Sequence, residues 1–145
     1  MGGKETFVYS DIVEIEQVLY RVSHAVDHGE IEKIMALFQP DAALVITWEE
    51  NGRHEGHDAI RKWFENYEQT VRSSTRYLRH RITCPVIDVD GDRASSSSYL
   101  EVEAAGRNTG QIVKTVGRYE DTLARTDTGW RIAEKVIYMD NTYTV

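Results

Sequence analysis

The spacing of hydrophobic residues changes about halfway along the chain. In the first half, apolar residues recur every three or four positions, which is typical of helices with one buried face. Asp11 is placed to cap the first such segment and Gly29 to end it. The spacing predicts three helices, which span residues 11–28, 30–38 and 58–71.

From residue 77 onward the apolar residues alternate with polar ones, as they do in strands. Turn sequences rich in Gly, Asp and Asn separate these segments. A shorter hairpin is predicted before the third helix, with a strand at 43–48 and a return strand that ends near Glu55. The alternation predicts four long strands, which span 77–89, 93–104, 111–125 and 130–142. Helices followed by a mostly antiparallel sheet indicate an α+β fold with the three N-terminal helices on one face.

His80 lies on the apolar face of the first long strand. The opposite face carries Tyr77, Arg79, Arg81 and Thr83. A buried imidazole needs a hydrogen-bond partner, because an unpaired polar group in a protein interior costs about 1–3 kcal/mol. The apolar face around it is predicted to hold Leu78, Ile82, Cys84 and Val86.

A polar stripe runs along the first helix beside its apolar one. It consists of Tyr20, Ser23, His24 and Asp27, spaced so that they share one side of the helix. A simple core helix would be apolar there, so these side chains are candidates for lining a site.

The composition limits the function classes. The 145 residues suit a single domain over 1–145, and one cysteine excludes an internal disulfide. A net charge of −7 disfavours nucleic acid, although arginines cluster at Arg72, Arg76, Arg79 and Arg81 on a strand surface that faces solvent or another subunit. No apolar run approaches a membrane span and no signal peptide is evident, so we expect a soluble, cytoplasmic protein without a membrane partner.

The order of the elements, together with several short motifs, resembles the NTF2-like α+β cone superfamily. Within it, the chain is most similar to the SnoaL-like group, which includes scytalone dehydratase and lindane dehydrochlorinase. The resemblance implies helices packed on a curved sheet. Its motifs are Ala25-Val-Asp27, Phe38-Gln-Pro-Asp-Ala42, Gly56-His-Asp-Ala-Ile60, His80 early in a long strand, Asp90-Gly-Asp-Arg-Ala94, Gly117-Arg-Tyr-Glu-Asp121 and Arg125-Thr-Asp-Thr-Gly-Trp-Arg-Ile132.

The resemblance also implies a catalytic pair. In the dehydratase-like members, an aspartate at the end of the first helix acts with a histidine on the strand after the third helix, and Asp27 and His80 occupy those places. A carboxylate bonded to one ring nitrogen raises the basicity of the other, which suits removal of a carbon-bound proton. Two alternatives stay open: a purely structural ion pair, or an Asp27 side chain exposed beside Gly29.

Further residues are candidates for binding a substrate. Tyr20, Ser23 and His24 could bond a hydroxylated molecule, and the resemblance places Lys135 where the family often has an arginine facing the pocket. A cation there would stabilise an enolate or a departing anion. The alternatives are core tyrosines and a lysine that extends to solvent. The full set is Tyr20, Ser23, His24, Trp48, Tyr119, Asp121 and Lys135.

These observations favour a cofactor-independent, dehydratase-like lyase or isomerase that acts on a small hydrophobic or aromatic, ring-containing molecule. A polyketide cyclase with the same pair and a non-catalytic ligand-binding or assembly module are the alternatives. No metal and no cofactor are expected. We expect a homodimer or homotrimer, formed through the strand face that carries Tyr77 and Arg79.

Overall fold

The structure, a computed structural model, describes residues 3–145 and, for side chains, residues 9–145. The helices are α1 (Gly3–His28), α2 (Ile31–Met35) and α3 (Gly56–Thr70), and a 3-10 turn follows at Arg72–Ser74. The strands are β1 (Phe38–Ile46), β2 (Arg53–Glu55), β3 (Thr75–Asp90), β4 (Arg93–Gly106), β5 (Ile112–Thr126) and β6 (Gly129–Thr144).

Within residues 3–145 the strands form a six-stranded sheet in the order β2-β1-β6-β5-β4-β3. β1 runs parallel to β6, and the other neighbours are antiparallel. α1 packs against β3 and β6, and α3 packs against β1. The predicted α+β fold, with three helices packed against a mostly antiparallel sheet, is therefore confirmed. Across the described part of the chain, no helix has the length and apolar composition that crossing a membrane requires.

α1 begins well before the predicted position, so Asp11 lies inside the helix and the prediction that it caps the helix is wrong. Its buried carboxylate instead accepts hydrogen bonds from both terminal nitrogens of Arg125, at 2.8 and 2.7 Å, and from Nε1 of Trp130 at 3.0 Å. Asp11 thus ties α1 to β5 and β6. α2 is shorter than predicted because Phe38 already pairs with Ile132 in the sheet.

A bulge in β3 overturns part of the predicted apolar face. The register with β4 shifts between Thr83 and Val86, and Cys84 adopts a φ of 51°. An extra residue in a strand reverses the direction of every side chain after it. Cys84 is consequently exposed, and Val86 is 64% exposed, whereas Leu78 and Ile82 face the helices as predicted.

Candidate active site

The last turn of α1 and the middle of β3 bring Asp27 against His80. Nδ1 of His80 lies 2.6 Å from Oδ1 of Asp27, and the two side chains are 8% and 11% exposed. The backbone N–H of His80 also donates to both carboxylate oxygens, at 3.1 Å each. The predicted contact between these side chains is therefore present, and Asp27 is not exposed beside Gly29.

The contacts of the His80 ring define its neutral tautomer. Both oxygens of Asp27 accept the backbone N–H of His80, so the carboxylate acts as the acceptor, Nδ1 carries the proton and Nε2 carries the lone pair. Nε2 lies 3.1 Å from the hydroxyl oxygen of Tyr67, which donates to it. Burial, together with the negative charge of Asp27, raises the pKa of Tyr67, so that the phenol keeps its proton near neutral pH.

Arg72, in the basic segment, positions the end of α1. Its Nε donates to the backbone carbonyl oxygen of Asp27 at 3.0 Å, and its Nη1 pairs with Glu68 at 2.5 Å. Arg81, by contrast, forms a surface ion pair with Glu103 of β4 at 2.9 Å. The arginines of this segment therefore do not form one common surface. Arg72 instead holds the backbone of Asp27, a candidate catalytic residue, in place.

A cavity of about 360 Å³ opens beside His80, between α3 and the sheet. Its polar contributors include His80, Tyr67 and Tyr119. The apolar part of its wall includes Trp48, Trp63, Leu100, Val102, Ile137 and Met139. A chamber of about 30 Å³, the share of one water molecule in the liquid, adjoins His80, Tyr67, Tyr119 and Lys135. The imidazole thus stands at the polar part of an apolar pocket.

Aromatic side chains brace the rim of this cavity. Trp63 stacks on Tyr67 with ring centroids 5.5 Å apart and an interplanar angle of 20°. Nε1 of Trp63 donates to Oε1 of Glu49 at 2.8 Å, which ties the segment after β1 to α3. Trp48, on that same segment, is half exposed at the cavity.

Lys135 and Asp121 form an ion pair in which both side chains are buried, at 1% and 0% exposure. Nζ of Lys135 donates to Oδ2 of Asp121 at 3.2 Å, lies 3.0 Å from Oδ1, and sits 3.6 Å from the centre of the Tyr119 ring. Burial raises the pKa of the Asp121 carboxyl and lowers that of the Lys135 amine, while each charge favours the other. Lys135 therefore does not extend to solvent.

The structure brings some of the predicted binding residues to the site and leaves others away from it. Trp48 and Tyr119 line the cavity, and Lys135 lines its small chamber with Asp121 behind it. Tyr20 is half-buried and Ser23 is buried on α1, and neither lines these cavities. His24 is exposed in a surface groove that Asp27 and His80 also line.

Sequence reasoning missed Tyr67, which contacts the imidazole directly. The residue is part of the buried stripe of α3 with Ile60, Trp63 and Phe64, where an aromatic ring is usually core. Its hydroxyl is the available signal, since a buried tyrosine oxygen usually has a polar partner. Among the described side chains, no group of three or more His, Cys, Asp or Glu is arranged to hold a metal ion.

Comparison with solved structures shows the same fold in proteins of several kinds. Rv3472 of Mycobacterium tuberculosis, a protein of unknown function, has a TM-score of 0.82 at 25% identity, covering 97% of this chain and 78% of that one. A candidate scytalone dehydratase of Novosphingobium aromaticivorans has a TM-score of 0.82 at 22% identity, covering 97% and 90%. A type 2 hexachlorocyclohexane dehydrochlorinase, LinA, has a TM-score of 0.80 at 13% identity, covering 97% and 93%. The last two likenesses show the fold alone.

Comparison of sequences identifies the family. The uncharacterized protein Rv2910c of Mycobacterium tuberculosis is 30% identical over 129 residues, which are 88% of this chain and 84% of that protein. Residues 8–136 match the SnoaL-like domain. The resemblance predicted from the sequence motifs is confirmed, and the chain belongs to the SnoaL-like domain family with an NTF2-like fold.

Proposed function

We propose that the protein is a cofactor-independent lyase or isomerase that removes a carbon-bound proton from a hydrophobic, ring-containing molecule. One observation carries the proposal. His80 is bonded through Nδ1 to Asp27 at 2.6 Å, while its other nitrogen lies at the polar part of an apolar cavity of about 360 Å³. This arrangement supports a general base in a site from which much water is excluded.

The reaction transfers one proton to the histidine. As the substrate C–H bond breaks, the proton reaches Nε2, and the electron pair forms a double bond or an enolate. The resulting imidazolium is stabilised by the carboxylate of Asp27. In an elimination, the same electron pair expels a leaving group from the neighbouring carbon.

Lys135 supplies positive charge near the deep part of the site. Its ammonium adjoins the small chamber that His80 also lines. A fixed cation in a poorly hydrated site stabilises negative charge that develops on an enolate oxygen or a leaving group. We therefore assign Lys135 to substrate binding, with Asp121 holding its Nζ in place.

The substrate class follows from the cavity wall. Aromatic and aliphatic side chains dominate the wall, and the volume lies in the range of small-molecule pockets. Two proteins of the same fold are named for hexachlorocyclohexane and for scytalone, both of them ring compounds. A cyclase would use the same base, whereas an assembly module would need neither the bonded histidine nor the cavity.

A general probe of proton abstraction tests the proposal. 5-Nitrobenzisoxazole fits an apolar pocket and loses its ring C–H proton as its N–O bond breaks, which releases a coloured phenolate. We expect the wild-type protein to catalyse this opening and His80→Ala to lower kcat/KM by about 10²–10⁴-fold. Hexachlorocyclohexane, followed by chloride release, and scytalone, followed by loss of water, test the lyase class directly.

His28→Ala is the matched control, because His28 is an exposed histidine at the end of the same helix as Asp27. It should retain wild-type turnover. Circular dichroism confirms that each variant is folded. A folded His80→Ala protein with wild-type turnover would contradict the proposal and favour the binding module.

A further inference from the structure

Tyr67 lies against the nitrogen of His80 that carries the lone pair. Its hydroxyl oxygen lies 3.1 Å from Nε2, and its side chain lines both the main cavity and the small chamber. The lone pair of the base therefore points at a phenol that itself lines the cavity. We propose that Tyr67 is a catalytic residue that relays the proton from substrate to His80, an inference that rests on the proposed function.

The polarity of the hydrogen bonds around the ring is fixed in a way that permits the relay. Asp27 accepts from Nδ1, so Nε2 is an acceptor and the phenol of Tyr67 is the donor. A phenol is protonated at neutral pH, and burial raises the pKa of Tyr67 further, so this donor persists there. The proton that His80 receives is then already in place on the phenol.

The phenol is also held where it is. Trp63 stacks on the Tyr67 ring, and Trp63 is itself held by the hydrogen bond from its Nε1 to Glu49. A substrate that displaced the phenol from Nε2 would have to disturb this packing. Transfer through the hydroxyl needs no movement of the ring.

The relay conserves atoms and charge. The substrate C–H bond breaks, its electron pair stays with the substrate carbon or passes to the leaving group, and its proton binds the phenol oxygen. At the same time the original phenol proton moves to Nε2. Tyr67 ends neutral and His80 ends as an imidazolium beside Asp27. The imidazolium then gives its proton to the product or to solvent.

Wild-type protein tests the relay through a solvent isotope effect. The substrate proton is bound to carbon and does not exchange with water, whereas the phenol proton does. With 5-nitrobenzisoxazole, deuteration of the substrate carbon first establishes that proton abstraction limits kcat. The relay then predicts a slower kcat in D₂O, because an exchangeable proton moves in the same step. Direct abstraction by Nε2 predicts equal kcat in both solvents, and that result would overturn the relay.

Tyr67→Phe removes the hydroxyl and keeps the ring. We expect kcat to fall by about 10²-fold or more with little change in KM, and the D₂O effect to disappear. Tyr99→Phe is the matched control, since Tyr99 is 61% exposed on β4 and lines neither cavity. It should match the wild type in both measurements.

Nitrogen NMR of histidine-labelled protein provides a readout independent of turnover. Wild-type His80 should show a protonated Nδ1 and a hydrogen-bonded Nε2, and only the Nε2 signal should move in Tyr67→Phe. Turnover by Tyr67→Phe at or above the wild-type rate would refute the relay while leaving the proposed function intact. Wild-type turnover by His80→Ala would instead refute the proposed function itself.

Discussion

The Asp27–His80 pair and the Asp121–Lys135 pair both place a carboxylate against a base inside this protein, but their surroundings differ. His80 lines the cavity and accepts a hydrogen bond from the Tyr67 hydroxyl at Nε2, on the side of the ring away from Asp27. Lys135 is sealed between Asp121 and the ring of Tyr119, and its contact with open space is limited to the small chamber.

The type of base and its access to the cavity, more than the pairing itself, make a site suitable for proton transfer. An imidazole changes charge near neutral pH, so a cavity beside it lets a proton come and go. A buried ammonium and carboxylate instead hold each other charged, because separating or neutralising either is costly. The first pair suits proton transfer, and the second suits a fixed positive charge.

The largest effect, a loss of stability, is expected when the buried Asp121–Lys135 pair is broken. Lys135→Met leaves the Asp121 carboxylate buried without its cation, so the free energy of unfolding should fall by about 3–5 kcal/mol. Urea denaturation measures this loss. The double variant Asp121→Leu with Lys135→Met removes both charges and should recover most of it. If Lys135→Met is as stable as the wild type, the loss of the Lys135 charge does not leave Asp121 buried without compensation.

A smaller effect, and one on turnover, is expected at the pocket-facing pair. Asp27→Asn offers an amide that no longer stabilises the imidazolium of His80, so kcat should fall by about 10²-fold. Urea denaturation should show a much smaller change in stability than for Lys135→Met. Asp88→Asn on the exposed face of β3 is the control. If Asp27→Asn instead lowers the free energy of unfolding as much as Lys135→Met while the folded variant keeps the wild-type kcat, the two pairs have the same structural role.

The smallest effect is expected at a third carboxylate, Asp11, whose partner Arg125 is 40% exposed. Hydrogen bonds from Arg125, and then from Trp130, hold the pKa of Asp11 below its usual value despite its burial. Asp11→Asn should lower the free energy of unfolding by about 1–2 kcal/mol at pH 7.

The effect of Asp11→Asn should depend on pH in one direction. Because the folded pKa is lowered, the stabilisation is complete above the unfolded value of about 3.9 and is lost as pH falls through the folded pKa. The free energies of unfolding of both proteins, measured from about pH 7 to about pH 3, should therefore approach each other as the pH falls. A difference that grows on acidification would contradict this account.

Local patterns were sufficient for the architecture and for part of the site. The change from helical spacing to alternation predicted three helices and four long strands after the third helix, since periodicity depends only on neighbouring residues. An imidazole at position 80 on an apolar face indicated a buried partner, and the family resemblance supplied Asp27. The contact at 2.6 Å agrees with both.

Other features depended on residues far apart in the chain. The bulge at Cys84 is a matter of pairing with β4, and it reversed the side chains that follow. Asp11 finds partners at Arg125 and Trp130, more than a hundred positions away, instead of capping a helix.

Local spacing and side-chain chemistry were enough to predict which elements form and which side chains need a polar partner. The partner that each side chain meets depends on the packing of whole elements. Docking of α3 against β1 and of α1 against β3 set Tyr67 against Nε2 of His80, and pairing of β5 with β6 placed Lys135 beside Asp121. Such contacts follow from how whole elements dock, and no local pattern encodes the distance between two side chains on different elements.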